Sequence, residues 1–310
     1  MRSDLKALIH VVIFNLIGCS GDLLPGEVVV PGELAAEVTS PEGLLSFGAD
    51  VAVSGDGERI VATAPDIGWA GWPGEDEIQI PSATSINVWF DSERAIAGVG
   101  GFGIIDINSG ELLREINEAR SIRGFDGGWL AAHTDKVIHS DGREWIIPDP
   151  RTVAVSSSKS AVISCDEGEC HAFELISDGE VSFLGEAGDG GDIWIDEEVI
   201  WWGAPDLSVE GGSGSAHSSD GQTIYGVVGG HLGRSIGGGY VAGGVNWDEA
   251  PRRVQVVPLG GGTVISLDGL AGPGTVSIDS SQDLMVLGLS GWVKDGATGA
   301  VITVEKEFIQ

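Results

Sequence analysis

The chain has 310 residues and carries 47 acidic against 16 basic side chains, a formal net charge of −31. A nucleic-acid-binding protein needs an excess of Lys and Arg to contact phosphates, and docking on an anionic membrane needs a basic face, so the composition argues against both. Hydrophobic residues make up 42% of the chain, which is enough to bury a core.

The first predicted element is a short apolar segment, residues 7–18, after a weakly basic start. A membrane-spanning helix needs about 20 residues, so this segment suits the core of a signal peptide instead. It ends in Leu16-Ile17-Gly18-Cys19, which resembles the lipobox of bacterial lipoproteins. The resemblance implies cleavage before Cys19 and lipidation of that cysteine, while Ser20 resembles an outer-membrane sorting signal. A secreted protein with an incidental cysteine is the alternative.

These boundaries predict three parts. Residues 1–18 form a lipoprotein signal peptide, residues 19–26 an anchor linker, and residues 27–310 one folded domain. The expected location is the bacterial cell envelope, at the outer membrane or cell surface, with the lipid as the only attachment to the membrane.

A short unit recurs along the folded part of the chain. It consists of an apolar residue, a polar turn and a second apolar stretch, and its copies follow at intervals of 30 to 42 residues. The copies begin at Val53, Phe90, Phe125, Val155, Ile195, Ile236 and Ile278. Between them lie glycine-containing turns typical of β-hairpins, for example at residues 139–145 and 217–224.

Two hairpins in each period make four strands, which is the pattern of a β-propeller blade. The sequence therefore predicts an all-β, seven-bladed propeller, with an irregular β-sandwich as the alternative. The last unit lacks a fourth strand, and residues 27–38 precede the first unit as a spare segment. We expect this segment to complete the last blade and close the ring, because closure removes exposed strand edges.

Cys165 and Cys170 remain once Cys19 is lipidated. Four residues separate them, including Asp166, Glu167 and Gly168, and the segment is typical of a hairpin connection. Facing strand residues lie about 4.5–5.5 Å apart, within disulfide range, so we expect a disulfide. Free thiols or half of a metal site are the alternatives.

Residues 47–66 contain Phe47-Gly48 and then VAVSGDGERIVATAPD. This segment resembles an FG-GAP repeat, the unit of the propellers of integrin α-subunits, and Trp202-Gly203-Ala204-Pro205-Asp206 resembles its second half. Thr63 replaces a family glycine, and the calcium-binding loop of the family is absent from the sequence. The resemblance thus implies a propeller but no blade-by-blade calcium.

Loops alternate between the two faces of a propeller. The short turns lie on one face, and the links between second and third strands and between blades lie on the other. Blades five, six, seven and one carry long links rich in aromatic and acidic residues, which predicts a ligand arc on that second face. Its candidate residues are Asp66, Trp69, Trp72, Asp206, Asn246, Trp247, Asp248, Trp292 and Asp295. For any one of these tryptophans, packing within its own loop is the alternative, and six others in strand-like segments are expected in the core.

No catalytic motif is present, and the histidines share no ligand spacing. First-strand positions are mostly apolar, which favours a non-enzymatic, monomeric protein that binds an extracellular glycan or protein. The alternative is a secreted propeller enzyme, a polysaccharide lyase or glycosidase, with acids in the central channel. We expect no catalytic residues, cofactor or metal, although calcium at Asp66, Glu75, Asp76 and Glu77 stays open.

Overall fold

The computed structural model describes 28–29, 33–38, 50–53, 60–64, 67–71, 78–81, 85–89, 94–98, 102–106 and parts of 109–306. Within 109–306 the exceptions are 110, 117, 126–127, 178, 188–190, 197, 206–212, 229–233, 238, 246–252, 260–264, 269–275, 282 and 291–298. The regular secondary structure of these residues consists of β-strands, and no α-helix is present among them. The Gly-rich, β-branched sequence therefore folds as the all-β prediction requires.

The first two described strands are β1 (Val28–Val29) and β2 (Glu33–Val38). Sheet one contains β3 (Asp50–Val53), β4 (Ile60–Ala64), β5 (Ile67–Gly71) and β6 (Ile78–Pro81). Sheet two contains β7 (Ser85–Trp89), β8 (Arg94–Gly98), β9 (Phe102–Asp106) and β10 (Leu112–Ile116). Sheet three contains β11 (Ser121–Phe125), β12 (Gly128–Ala132), β13 (Lys136–His139) and β14 (Glu144–Ile146).

Sheet four contains β15 (Pro150–Val155), β16 (Ser160–Asp166), β17 (Glu169–Leu175) and β18 (Val181–Glu186). Sheet five contains β19 (Asp192–Asp196), β20 (Val199–Pro205), β21 (Ser213–Ser218) and β22 (Thr223–Val228). Sheet six contains β23 (Arg234–Gly237), β24 (Tyr240–Val245), β25 (Arg253–Pro258) and β26 (Ile265–Asp268). Sheet seven contains β27 (Val276–Ser280), β28 (Leu284–Ser290) and β29 (Gly299–Glu305). Each predicted repeat coincides with the first hairpin of one sheet, so those hairpins are confirmed.

The two N-terminal strands join sheets formed much later in the chain. β2 pairs antiparallel with β29, from Glu33 opposite Thr303 to Val38 opposite Gly299, and makes sheet seven four-stranded. β1 pairs parallel with β26 and widens sheet six to five strands. The second pairing corrects part of the prediction. Residues 28–29 were expected, within 27–38, to complete the last sheet, but they pair with sheet six.

The first strands of the sheets contact one another in sequence. β3 contacts β7, and so on through β11, β15, β19 and β23 to β27, which contacts β3 again. Sheet seven is accordingly buried from both sides. Ile278 and Met285 pack with Val256 of sheet six, while Val286 and Val301 pack with residues of sheet one. Each such buried aliphatic side chain contributes about 1.5–3 kcal/mol.

Two repeated serine contacts show which turns share a face. Ser140 Oγ accepts a 3.1 Å hydrogen bond from the Trp129 amide, and Ser219 Oγ accepts one of 3.0 Å from Ile200. In both sheets three and five, the turn between third and fourth strands thus contacts the start of the second strand. The predicted placement of both kinds of short turn on one face is therefore confirmed in these two sheets.

Candidate functional site

A cleft opens between the outer strand of sheet three and the outer half of sheet four. Its volume is about 480 Å³. Sheet three contributes Ile146, Ile147 and Pro148, and sheet four contributes an acidic hairpin together with His171, Phe173 and Val181. We call it the 3/4 cleft.

The acidic lip of the 3/4 cleft is the hairpin between β16 and β17. Its two turn residues, Glu167 and Gly168, both have positive φ, 50° and 92°, as a tight turn that matches strand twist requires. Cys165 and Cys170 face each other across this hairpin, 4.0 Å apart at Cα, and form a disulfide. The disulfide prediction is thus supported, and the bond fixes the turn that presents Asp166, Glu167 and Glu169 at the cleft.

The wall of the 3/4 cleft is aromatic. The ring of Phe183 lies 5.8 Å from that of Phe173 and 5.5 Å from that of His171, measured between centroids. Phe183 nevertheless remains 60% exposed and Val181 45% exposed. Across the cleft, Ile146 is 79% exposed. Exposed hydrophobic side chains grouped beside a cleft make this surface a candidate binding site.

Trp145 holds the two sides of the cleft together. Its side chain is buried, and its indole Nε1 donates a 2.7 Å hydrogen bond to the carbonyl oxygen of Ile176 in sheet four. At the other end of β18, Trp202 Nε1 donates to the carbonyl oxygen of Glu186 at 3.1 Å. Hydrogen bonds from the neighbouring sheets three and five therefore hold the outer part of sheet four in place without a ligand.

Sequence reasoning did not find this site. Val181 and Phe183 stand on either side of Ser182 as core-facing strand residues do, and Ile146 lies between the apolar Trp145 and Ile147. Neither pattern shows whether these side chains are buried or exposed. The one available signal was the cysteine pair, which marked the hairpin but not the cleft beside it. Blades three and four were expected to carry only short links, and the 3/4 cleft lies outside the predicted ligand arc.

A second group of polar residues lies on the first strands. Arg123 of β11 and Asp192 of β19 form an ion pair at 3.9 Å although sheet four separates their sheets in the order of the chain. Asp279 of β27 is close enough for Arg123 to lower its pKa, an effect outweighed by burial, which raises the pKa to about 6. Charged groups of three first strands therefore approach one another, although the first-strand positions were expected to be mostly apolar.

Three further groups lie where sheets five, six and seven meet. Lys306 Nζ lies 5.4 Å from the centre of the Tyr240 ring. Burial raises the pKa of Tyr240, with Asp196 adding to the effect. Burial lowers the pKa of Lys306, although the carboxylates of Asp279, Asp196 and Asp283 oppose that change. No motif in the sequence marked these residues, since they come from three different repeats.

The predicted ligand arc lies almost wholly outside the described residues. This applies to Asp66, Trp72, Asp206, Asn246, Trp247, Asp248, Trp292 and Asp295, to the proposed calcium ligands and to Cys19. Trp69 is the exception and needs a correction. It lies within β5, opposite Ala62 and Gln79, because IGWAG continues the strand ladder instead of forming a loop.

The tryptophans expected in the core are confirmed where their side chains are described. Trp129, Trp145, Trp201 and Trp202 are all buried, and Trp194 is partly buried. In the described part of the chain, no group of three or more His, Cys, Asp or Glu side chains could hold a metal ion. Nor does that part contain a helix long and apolar enough to cross a membrane.

Comparison with known proteins identifies the fold. No protein-family model matches the chain, and no curated protein matches it. Virginiamycin B lyase from Staphylococcus aureus superposes with a TM-score of 0.57 at 10% identity, covering 88% of this chain and 99% of that one. The AfRom2 CNH domain superposes with a TM-score of 0.53 at 10% identity, also covering 88% of this chain and 99% of that one.

Hsv2 from Kluyveromyces marxianus gives a TM-score of 0.50 at 7% identity, covering 83% of this chain and 97% of that one. Such low identities carry information about the fold alone. Together with the succession of antiparallel four-stranded sheets, these similarities show that the chain has a β-propeller fold.

Proposed function

We propose that this protein is a non-enzymatic, lipid-anchored binding protein whose propeller has seven blades, closed by residues 27–38, and which binds an extracellular glycan or protein. The blade number is supported by the seven successive sheets and by the contact between β27 and β3. Closure is supported by the pairing of β2 with β29. We also propose that the repeats are related to FG-GAP repeats, which is supported by the sequence resemblance alone.

The observation that carries the binding function is the 3/4 cleft. It joins exposed hydrophobic side chains, Ile146 and Val181, with Phe183 beside them, to an acidic hairpin held by a disulfide. Pre-organised concave surfaces with an apolar centre and a polar rim are typical of binding sites, because little conformational entropy is lost on association. The protein would bind here as a monomer and without a cofactor.

The sequence supports the proposed location at the cell envelope. Residues 1–18 would be removed as a signal peptide, Cys19 would carry the lipid, and residues 19–26 would link it to the domain at 27–310. Several acyl chains give stable anchoring. A disulfide agrees with an exported protein, because such bonds persist in oxidising compartments.

The predicted arc of long loops is a second surface for the same function. It would present Trp72, Trp247 and Trp292, with Asp206 and Asp295, to a glycan or protein. Aromatic planes beside carboxylates suit either partner.

One observation favours the alternative function, a propeller enzyme acting on a polysaccharide. Arg123, Asp192 and Asp279 come from three first strands, as acid–base groups of a central site would. A carboxyl group with a pKa near 6 is also suited to proton transfer near neutral pH. Release of oligosaccharides by the wild-type chain but not by Asp279→Asn would favour this function.

The binding function is tested with the full chain purified in detergent, first on a glycan array and then against defined extracellular proteins. We expect an identified ligand whose affinity falls about tenfold in Phe183→Ala. The matched control is Leu113→Ala, because Leu113 is 49% exposed on β10, the outer strand of another sheet. The affinities of Trp72→Ala and Trp247→Ala for the same ligand test whether the predicted ligand arc takes part in binding. A ligand that none of the cleft or arc variants weakens would contradict the proposal.

A further inference from the structure

We propose that the 3/4 cleft takes an extended segment of a partner protein in which lysine or arginine alternates with apolar residues. This inference rests on the proposed binding function and names the partner of that same cleft. It follows from three features of the described residues: the apolar walls, the charge at the mouth and the open edge of β18.

The apolar walls require hydrophobic side chains from the ligand. Ile146 and Val181 are exposed on opposite sides of one cleft, and Phe173 lines it as a partly buried base. The exposed ring of Phe183 lies beside the cleft, 5.8 Å from that of Phe173. An aliphatic or aromatic side chain placed between Ile146 and Val181 would remove apolar surface from water on both sides at once.

The charge at the mouth selects basic residues. Asp166, Glu167 and Glu169 are all exposed there, and none of the residues lining the cleft is Lys or Arg. The arginines beside the neighbouring link are already engaged, since Arg120 and Arg151 pair with Asp149 at 2.6 and 2.5 Å. With a net charge of −31 on the whole chain, a cationic segment is attracted to this lip and an anionic one is repelled.

The edge of β18 selects an extended backbone. Among the described strands, β18 pairs only with β17, so one side of it has no partner strand. Open strand edges bind extended peptides through main-chain hydrogen bonds, with alternate side chains entering pockets. Val181 and Phe183 stand two residues apart on this strand, so alternation in the ligand would match them.

The probe is a nine-residue peptide in which lysine alternates with valine, titrated into the full chain by calorimetry in low salt. Matched peptides carry glutamate or serine in place of lysine. We expect binding of the lysine peptide alone, weakened at least tenfold when salt is raised from about 50 to about 500 mM. Phe183→Ala should weaken it about tenfold, and the double change Glu167→Gln and Glu169→Gln should weaken it severalfold.

The control for charge is the double change Glu111→Gln and Glu115→Gln, which removes two exposed carboxylates near β10 and should leave the affinity unchanged. Equal binding of the lysine and glutamate peptides overturns the inference. So does a glycan or neutral protein that needs Phe183 while no lysine peptide binds, and in that case the proposed function stands. If no ligand of any kind depends on Phe183, the cleft is not a binding site and the inference fails with it.

Discussion

The backbone amide of Val53 donates a 2.9 Å hydrogen bond to the carboxylate of Asp279, 226 residues further along the chain. The bond joins the first strand of sheet one to the first strand of sheet seven, where the beginning and the end of the chain meet. Ser280 donates a second backbone hydrogen bond to the same carboxylate at 2.8 Å. A partly buried acid therefore supports the junction between these two sheets.

This acid predicts a pH dependence of stability. Burial raises the pKa of Asp279 to about 6, so the folded protein binds a proton there that the unfolded chain, with a pKa near 3.8, releases. The contribution of Asp279 to the free energy of unfolding is thus largest below about pH 4 and declines as pH rises through 6. The shift corresponds to a change on the order of 3 kcal/mol.

Asp279→Asn isolates this effect from the other 46 acids, because only the difference between the two proteins is compared. The amide keeps an acceptor for Val53 and cannot ionise. Urea unfolding between pH 4 and 7.5 should show the variant gaining stability relative to wild type as pH rises. A difference that is constant over this range would mean that Asp279 does not titrate with a raised pKa.

Closure by the N-terminal strand predicts a loss of stability on deletion. Removing residues 27–38 takes away both β1 and β2 and leaves β29 without its outer partner, which we expect to cost about 3 kcal/mol and to lower Tm by about 5 °C. Deleting residues 20–26 alone is the control and should leave Tm unchanged. Equal Tm values for both deletions would contradict closure.

The disulfide predicts a modest stabilisation, because only five positions separate Cys165 from Cys170. For so short a loop, chain entropy gives about 2 kcal/mol. Replacing both cysteines by alanine should lower the free energy of unfolding by that amount, and adding a reductant should no longer affect the variant. Peptide mapping without reduction that recovers both cysteines as free thiols would refute the bond.

The lipid anchor is tested in the producing cell. Radiolabelled palmitate should appear on the full chain and follow the membrane fraction. Cys19→Ser should abolish the label because the thioether requires the thiol, whereas Cys165→Ser, the control, should keep it. Labelling that survives the loss of Cys19 would exclude the lipoprotein assignment.

The repeat pattern predicted much of the fold. Hairpins are local, so a polar turn between β-rich flanks was enough to place the strands around Phe125, Val155 and Ile195. The expectation that residues 27–38 complete the last blade followed from a missing element, and residues 33–38 do pair with the last strand, whereas 28–29 pair with β26. IGWAG was misjudged because Gly and Trp suggest a loop, although the ladder with β4 holds Trp69 in a strand.

The candidate site was far less accessible to sequence reasoning. Arg123 and Asp192 lie 69 positions apart, and nothing local indicates that they meet at 3.9 Å. Phe183 looks like a core residue until its neighbours are known, since exposure is a property of how two sheets pack. The 3/4 cleft is lined by Ile146 at the end of β14 and by Val181 of β18, so it depends on two sheets that are separate in the sequence.

The most direct test of the 3/4 cleft is hydrogen–deuterium exchange of the full chain at saturation with the lysine–valine peptide. The account predicts slower exchange in β18, residues 181–186, and at residues 144–148, with no change in β10, residues 112–116. Slowing confined to residues 72–77, 206–212, 246–252 and 291–298, or to the first strands around Arg123 and Asp192, would contradict it.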